Sequence, residues 1–373
     1  MGSAGLFRSG PHLNRRRPRP GLGPFAVVAI LLAGTLAEAG PRLHLAPGLA
    51  REDDTLIVES DGGDMTIDIA GSQPLPDPPA RLIVLRRASA GARQLQLLDR
   101  HGRKVGTVEI PQGWTGFATD AGVVLVPESP HAPGRPHWLK FLSHTGEPRA
   151  EVREELTLVD WAVAPGGGLA TVSQAPREGG AWVIHGYDGQ GAQIWRHEIS
   201  GITPPDALLT AGGQLVVLEH DFAAGASTIT ILARGRSPKS YRLWSLNRMV
   251  ADPDSERVAA VGRDTVALFD ARTRRLLWRR DERIDFVLYG GFRFDRRAAR
   301  LHIVAADRDR RAGQARLGLR TYRLSDGAQD RAALGQTAMD AMPTVVDVET
   351  PPEGGRRVLL HDRAVTAVPE GAP

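Results

Sequence analysis

The stretch Trp182–Ile199, WVIHGYDGQGAQIWRHEI, decides the fold. Val183 and Ile184 begin one apolar strand, Asp188-Gly189 and Gly191 supply turn chemistry, and Ile194-Trp195 start the return. Gly and Asp tolerate the positive φ that tight turns need, so the stretch reads as strand, turn, strand.

The unit recurs. LQLLDRHGRKVGTVEI (95–110) turns at His101-Gly102 and LKFLSHTGEPRAE (139–151) at Thr145-Gly146. ITILARGRSPKSYRLW (229–244) turns near Gly235 and VALFDARTRRLLW (266–278) near Ala271 to Thr273. LGLRTYRLSDGAQDRAAL (317–334) turns at Asp326-Gly327. Successive turns lie 44, 43 and 46 residues apart, then about 37 and about 54, for a mean of 45. Between them runs a second strand–turn–strand pattern: WAVAPGGGLATVSQ (161–174), ALLTAGGQLVVLEH (207–220) and MVADPDSERVAAVG (249–262). Upstream, TLIVES from Thr55 and the alternating MTIDIA (65–70) also read as strands, followed by a Pro-rich loop at 73–79. Each repeat therefore holds about four short strands in about 45 residues, the size of one propeller blade. The expected fold is all-β, a β-propeller of about seven four-stranded blades, with six to eight as the range. The domain itself is expected at 54–368, after a short leader at 40–53 and before a tail at 369–373.

VIHGYDGQGAQIW and VALFDARTRRLLW resemble the repeat of quinoprotein-like β-propellers, and MVADPDSERVAAVGRDTVALFD resembles a WD-repeat blade. The resemblance is one of architecture. The Gly-His and terminal Trp-Asp signatures of WD repeats are absent, and only Trp195, Trp244 and Trp278 stand at or near the repeat's Trp position. Those three are expected to fill the core between blades. Quinone-dependent dehydrogenases of the superfamily often use vicinal cysteines, which this chain cannot supply.

Composition narrows the function. The chain has no Cys, which removes disulfides, thiolate metal sites, a cysteine nucleophile and a lipid-attachment residue. Residues 1–39 read as an export signal: Arg8, Arg15, Arg16, Arg17 and Arg19, then the apolar run Phe25–Ala37, then Ala37-Glu38-Ala39 before Gly40. The 13-residue run is shorter than the roughly 20 residues a membrane helix needs, so no stable span is expected after cleavage. The pI of 9.8 belongs to that segment. Taking its five Arg and Glu38 from 47 basic and 43 acidic residues leaves 42 of each, so no nucleic-acid partner is expected.

Catalytic motifs are missing. No G-x-S-x-G is present, and His131, His137 and His220 lack the spacing of a helical metal pair. Asp307 and Asp309 begin like a calcium loop that is not completed, and Asp252 and Asp254 read as turn formers. The basic runs 272–283 and 293–311 read as solvated strand faces, with a basic rim for an anionic partner as the functional alternative. No catalytic, cofactor-binding or metal residue is assigned, and no cofactor is expected. The sequence points to an exported binding or scaffold module for a protein or other envelope ligand. The alternative is a propeller hydrolase or lyase with a site in the central channel. Contact surfaces are expected on the long loops at 127–138, 174–181, 221–227 and 305–316.

Overall fold

The computed structural model describes residues 49–52, 55–60, 82–89, 92–98 and 104–369, apart from 128–136, 165, 176–179, 253, 296–298, 310–311, 340–341, 344, 350–355 and 361–363. The segment 1–39 expected as an export signal, MTIDIA, the loop expected at 73–79 and His131 lie outside the described residues. Within them every regular element is a strand.

The strands fall into consecutive sheets. The first holds β1 (Leu49–Glu52), β2 (Thr55–Ser60), β3 (Leu82–Ser89), β4 (Ala92–Leu98) and β5 (Lys104–Ile110), with β2 parallel to β3. Blade two is β6 (Trp114–Thr119), β7 (Gly122–Pro127), β8 (His137–Leu142) and β9 (Pro148–Glu154). Blade three is β10 (Thr157–Val163), β11 (Leu169–Ala175), β12 (Ala181–Tyr187) and β13 (Gln193–Ser200). Blade four is β14 (Asp206–Leu209), β15 (Leu215–Asp221), β16 (Ala226–Leu232) and β17 (Lys239–Trp244). Blade five is β18 (Leu246–Ala251), β19 (Arg257–Gly262), β20 (Thr265–Asp270) and β21 (Arg275–Asp281). Blade six is β22 (Phe286–Asp295), β23 (Arg300–Asp309), β24 (Gln314–Arg323) and β25 (Gln329–Ala338). The last strands are β26 (Val345–Glu349), β27 (Arg356–Leu360) and β28 (Ala364–Pro369). They join blade six where Ala332 and Ala333 of β25 pair with Pro369 and Val368 of β28. Blades two to five are antiparallel meanders in chain order. The first strands β10 and β14, β14 and β18, and β22 and β26 lie beside one another, so the first strands converge on the axis. This is a WD-like β-propeller of about seven blades.

The sequence makes blades because the middle strands are apolar at nearly every position. In β15, Val216 and Leu218 pack with Val258, Ala260 and Phe269 of blade five. Leu215 and Val217 face the other way, onto Val172 and Ile184 of blade three. Side chains alternate across a strand, so a sheet covered on both faces needs apolar residues at both parities. Every cluster between blades one and six spans two neighbouring sheets in this way.

The turn residues are where the repeat placed them. Thr145-Gly146, Asp188-Gly189, Gly235, Ala271–Thr273 and Asp326-Gly327 all link third to fourth strands, and the intervening pattern links first to second, while His101-Gly102 lies outside the described residues. Gly191 has φ 83°, and a Cβ there would stand 2.5 Å from Ala150 Cβ on the preceding blade. Gly327 has φ 70° and lies against Trp278 in the same manner. The chain ends are expected to meet, with TLIVES beside VLLHD or AVTAV. The ends do meet, but through β1 and β26.

Gly191→Val combines a disfavoured φ with a clash and is expected to cost roughly 2–4 kcal/mol. Gly313 has φ 64° with open space around its Cβ position. Gly313→Ala should cost only about 1 kcal/mol. Urea denaturation of the two variants checks the difference, and equal losses would refute close blade contact at Gly191.

Candidate functional site

In an antiparallel meander the first–second and third–fourth turns share one end, and the second–third and fourth–first links share the other. The four segments expected as long contact loops fall on the links from β7 to β8, β11 to β12, β15 to β16 and β23 to β24. Three of these links are short: strands run to Ala175 and from Ala181, to Asp221 and from Ala226, and to Asp309 and from Gln314, so most of 305–316 is strand, and 128–136 lie outside the described residues. All four are second–third links, so they share one face. The first strands begin on that face, and four of them are bulged there: between Leu158 and Asp160, Leu246 and Arg248, Val287 and Phe292, and Val345 and Asp347. Bulges bend a strand and re-aim side chains, and they gather beside functional surfaces.

The opposite face is tied down blade to blade. Trp195 Nε1 donates to the Gly213 carbonyl at 2.7 Å, and Trp278 Nε1 donates to the Leu324 carbonyl at 3.1 Å. The Arg280 guanidinium donates to the carbonyls of Gly327 (2.9 Å) and Asp326 (2.6 Å). The Tyr241 hydroxyl donates to the Arg274 carbonyl at 2.7 Å. Trp195 and Trp278 thus occupy the inter-blade positions expected of them. Trp244 does not: it is 58 % exposed, because it pairs with Ala226 at the very end of its sheet.

Of the six large apolar side chains exposed among the described residues, three lie at the blade-four end of the face with the second–third links: Ile202 (93 %), Phe222 (75 %) and Trp244. Their loops are bonded together. Thr203 Oγ1 donates to the His220 carbonyl (3.3 Å), Gly225 N to the Phe222 carbonyl (3.4 Å), and Ser245 N to the Gly225 carbonyl (3.1 Å). Ser245 holds φ 53°, a left-handed conformation rare outside glycine that fixes the chain just after Trp244. The Phe222 ring stacks on His220 with centroids 5.5 Å apart and planes at 16°. His220 Nε2 in turn lies 3.2 Å from Asp206 Oδ2. Nothing in the repeat pattern flags this patch; the only sequence signal is an apolar residue inside each of two loops, GITPPD and DFAAG.

Polar groups also gather between blades, sealed from solvent. Glu154, 2 % exposed at the end of β9, accepts from Thr171 Oγ1 (3.2 Å) and the Tyr187 hydroxyl (3.1 Å), with His185 Nδ1 2.9 Å away, all on blade three. Glu282 follows β21 and accepts from the Tyr322 hydroxyl and from Gln329 Nε2 (2.6 Å) on blade six. Arg320 and Arg331 stand 3.3 and 2.9 Å from it. Burial, and then the neighbouring carboxylate, pushes both tyrosine hydroxyls up, so they stay protonated donors. A third group lies within blade six: His302, 1 % exposed, has Nδ1 3.0 Å from Thr321 Oγ1 and Nε2 3.2 Å from Asp295 Oδ2. That is the order of a hydroxyl–imidazole–carboxylate relay, yet Thr321 is also 1 % exposed, so no substrate atom can reach it. Its role is to satisfy buried polar atoms.

The remaining sequence candidates resolve individually. His137 is buried at the start of β8. Asp252 makes an Asx turn, accepting from Asp254 N (3.1 Å) and Ser255 Oγ (2.6 Å). Asp307 pairs with Arg320 at 3.2 Å. In the run 272–283, Arg279 pairs with Asp281 at 2.6 Å and Arg283 with Asp285 at 3.0 Å, as on a solvated strand face. Among the described residues no three His, Cys, Asp or Glu converge as metal ligands, and no helix is long and apolar enough to cross a membrane.

No family model matches the chain, and no curated protein matches it. Among solved structures it is similar to the C-terminal WD40 domain of Sif2, at 14 % identity over 75 % of this chain and 76 % of that one, TM-score 0.43. It is similar to Kluyveromyces lactis Hsv2 at 11 % identity over 77 % and 89 %, TM-score 0.45. A eukaryotic initiation factor is similar at 12 % identity over 90 % and 88 %, TM-score 0.42. These likenesses concern the fold alone.

Burial pushes the His302 pKa down, the Asp295 carboxylate pulls it partly back, and Arg356 and Arg293 lower it further. The folded chain therefore resists a proton that the unfolded chain accepts near pH 6.5. The stability from a neutral His302 is present above about pH 6.5 and is lost as pH falls below it, by at most about 1.4 kcal/mol per pH unit. Wild type should lose more stability than His302→Gln between about pH 7.5 and pH 5, measured by denaturant midpoint. Parallel slopes would show that His302 is not the source.

Proposed function

We propose that this chain is an exported binding module that holds a protein partner through the propeller face that carries its second–third links. One observation carries the reading: Ile202, Phe222 and Trp244 are all exposed at one blade's end of that face, and clustered exposed apolar surface marks interaction sites. Export rests on the three-part segment at residues 1–39.

A hydrolase or lyase is the second reading, favoured by one specific register. Asp160, Asp206 and Arg248 each stand four residues before the first turn of three successive blades, on strands that line the axis. Arg248, however, donates to the Leu288 carbonyl at 3.4 Å and lies over the Phe286 ring, and Asp206 is held by His220. Both are anchored to neighbouring protein groups, which suits a scaffold better than a mobile acid or base.

Export predicts that full-length chain expressed in a bacterial host is recovered from the envelope compartment with Gly40 as its N-terminus. A pull-down from that fraction should then recover a stoichiometric protein. N-terminal sequencing that begins at Met1, in the cytosol, refutes export; an absent partner with turnover of a hydrolase or lyase substrate panel favours the second reading.

A further inference from the structure

The blade-four patch carries more information than its apolarity. Elsewhere the chain covers its own rings with cations: Lys140 over Trp114 (5.2 Å), Arg153 over Trp138 (5.9 Å), Lys239 over Tyr241 (5.2 Å), and both Arg248 (6.0 Å) and Arg308 (4.6 Å) over Phe286. Among the described residues no cation lies over Phe222 or Trp244. One face of Phe222 is taken by His220, so its other face is the open one.

Charge at the patch runs the opposite way from its surroundings. On the outer strands of the neighbouring blades three and five carboxylates are matched by arginine, as in Arg196–Glu198 and Arg279–Asp281. At the blade-four end Asp206, Glu219 and Asp221 stand against Arg242 alone, which pairs with Asp221 at 3.4 Å. Asp206 is 45 % exposed and its ion-pair partner is His220, which is charged only when protonated. Glu219 has no arginine or lysine within ion-pair distance among the described residues, and burial pushes its pKa up. Open aromatic faces beside unmatched carboxylates are complementary to one chemistry: a cation on an apolar stem or beside an apolar neighbour.

Building on the binding reading above, we infer that the blade-four end of this face docks an extended segment of the partner protein that presents arginine or lysine next to leucine-like or aromatic side chains. The cation lies on the open face of Phe222, drawn there by the excess of Asp206, Glu219 and Asp221 over Arg242, while the apolar neighbour covers Ile202 or Trp244. The bonded loops hold the rings before the partner arrives, which limits the ordering cost of association.

The test uses the full chain and a fluorescein-labelled decapeptide of alternating Arg and Leu, read by fluorescence anisotropy. Two control peptides replace Arg by Glu or Leu by Ser. The Arg–Leu peptide should bind at least about tenfold more tightly than either control, and more weakly as salt rises. Phe222→Ser, Trp244→Ser and Asp206→Asn should each weaken it about fivefold while the melting temperature holds. Equal binding of the Glu peptide, no binding at all, or wild-type affinity in Phe222→Ser and Trp244→Ser together overturns the inference. So does capture of phosphatidylserine vesicles, or self-association by light scattering, that Phe222→Ser abolishes. The two readings fail separately. If the variants still recover the wild-type partner from the envelope fraction, the docking chemistry is wrong and the binding module stands. If wild type recovers none, the binding module itself falls.

Discussion

Blades two to six of this protein are apolar on both faces, and that one constraint shapes the rest of the molecule. A sheet such as blade four cannot be covered by its own loops: Leu215 and Val217 look one way while Val216 and Leu218 look the other. Only a neighbour on each side removes those surfaces from water, so the stable object is the array rather than the blade. The sealed carboxylates belong to the same logic. Glu154 and Glu282 sit where the chain leaves an outer strand and crosses to the next blade, and each takes its partners from that blade. A buried carboxylate is tolerated only where its oxygens are fully occupied, so these crossings are fixed in register as well as in packing.

The two ends of the array divide the work. The end with the first–second and third–fourth turns is stitched across blades by Trp195, Trp278, Arg280 and Tyr241, each reaching a backbone carbonyl next door. Length changes there would break those bonds. The other end has the strand bulges and the uncovered rings.

Much of this was legible in the sequence, because turn chemistry is local. Asp188-Gly189 and Asp326-Gly327 announce their turns within a few residues, and the 45-residue spacing follows from them. Three features were not legible. Assigning the four second–third links to one face needs the strand order, which no single link contains, and the strands extend further into 174–181, 221–227 and 305–316 than their polar residues suggest. The Glu154 and Glu282 groups join residues up to 47 positions apart, and a lone Glu in a strand carries no mark of burial. Trp244 matched the motif of Trp195 and Trp278 only loosely, falling several residues later after its turn. That slip carries it from mid-sheet, where Trp278 faces Leu268, to the sheet's margin.

The joins around the ring are not alike. Blades six and seven share a backbone ladder, where β25 meets β28, whereas the first and last parts of the chain touch through β1 and β26 without one. A circle with one welded joint and one that merely abuts has a built-in place to part. Tension drawn through the two termini would fall first on the abutting joint, leaving the loop-bearing blades in the middle of the chain unstrained.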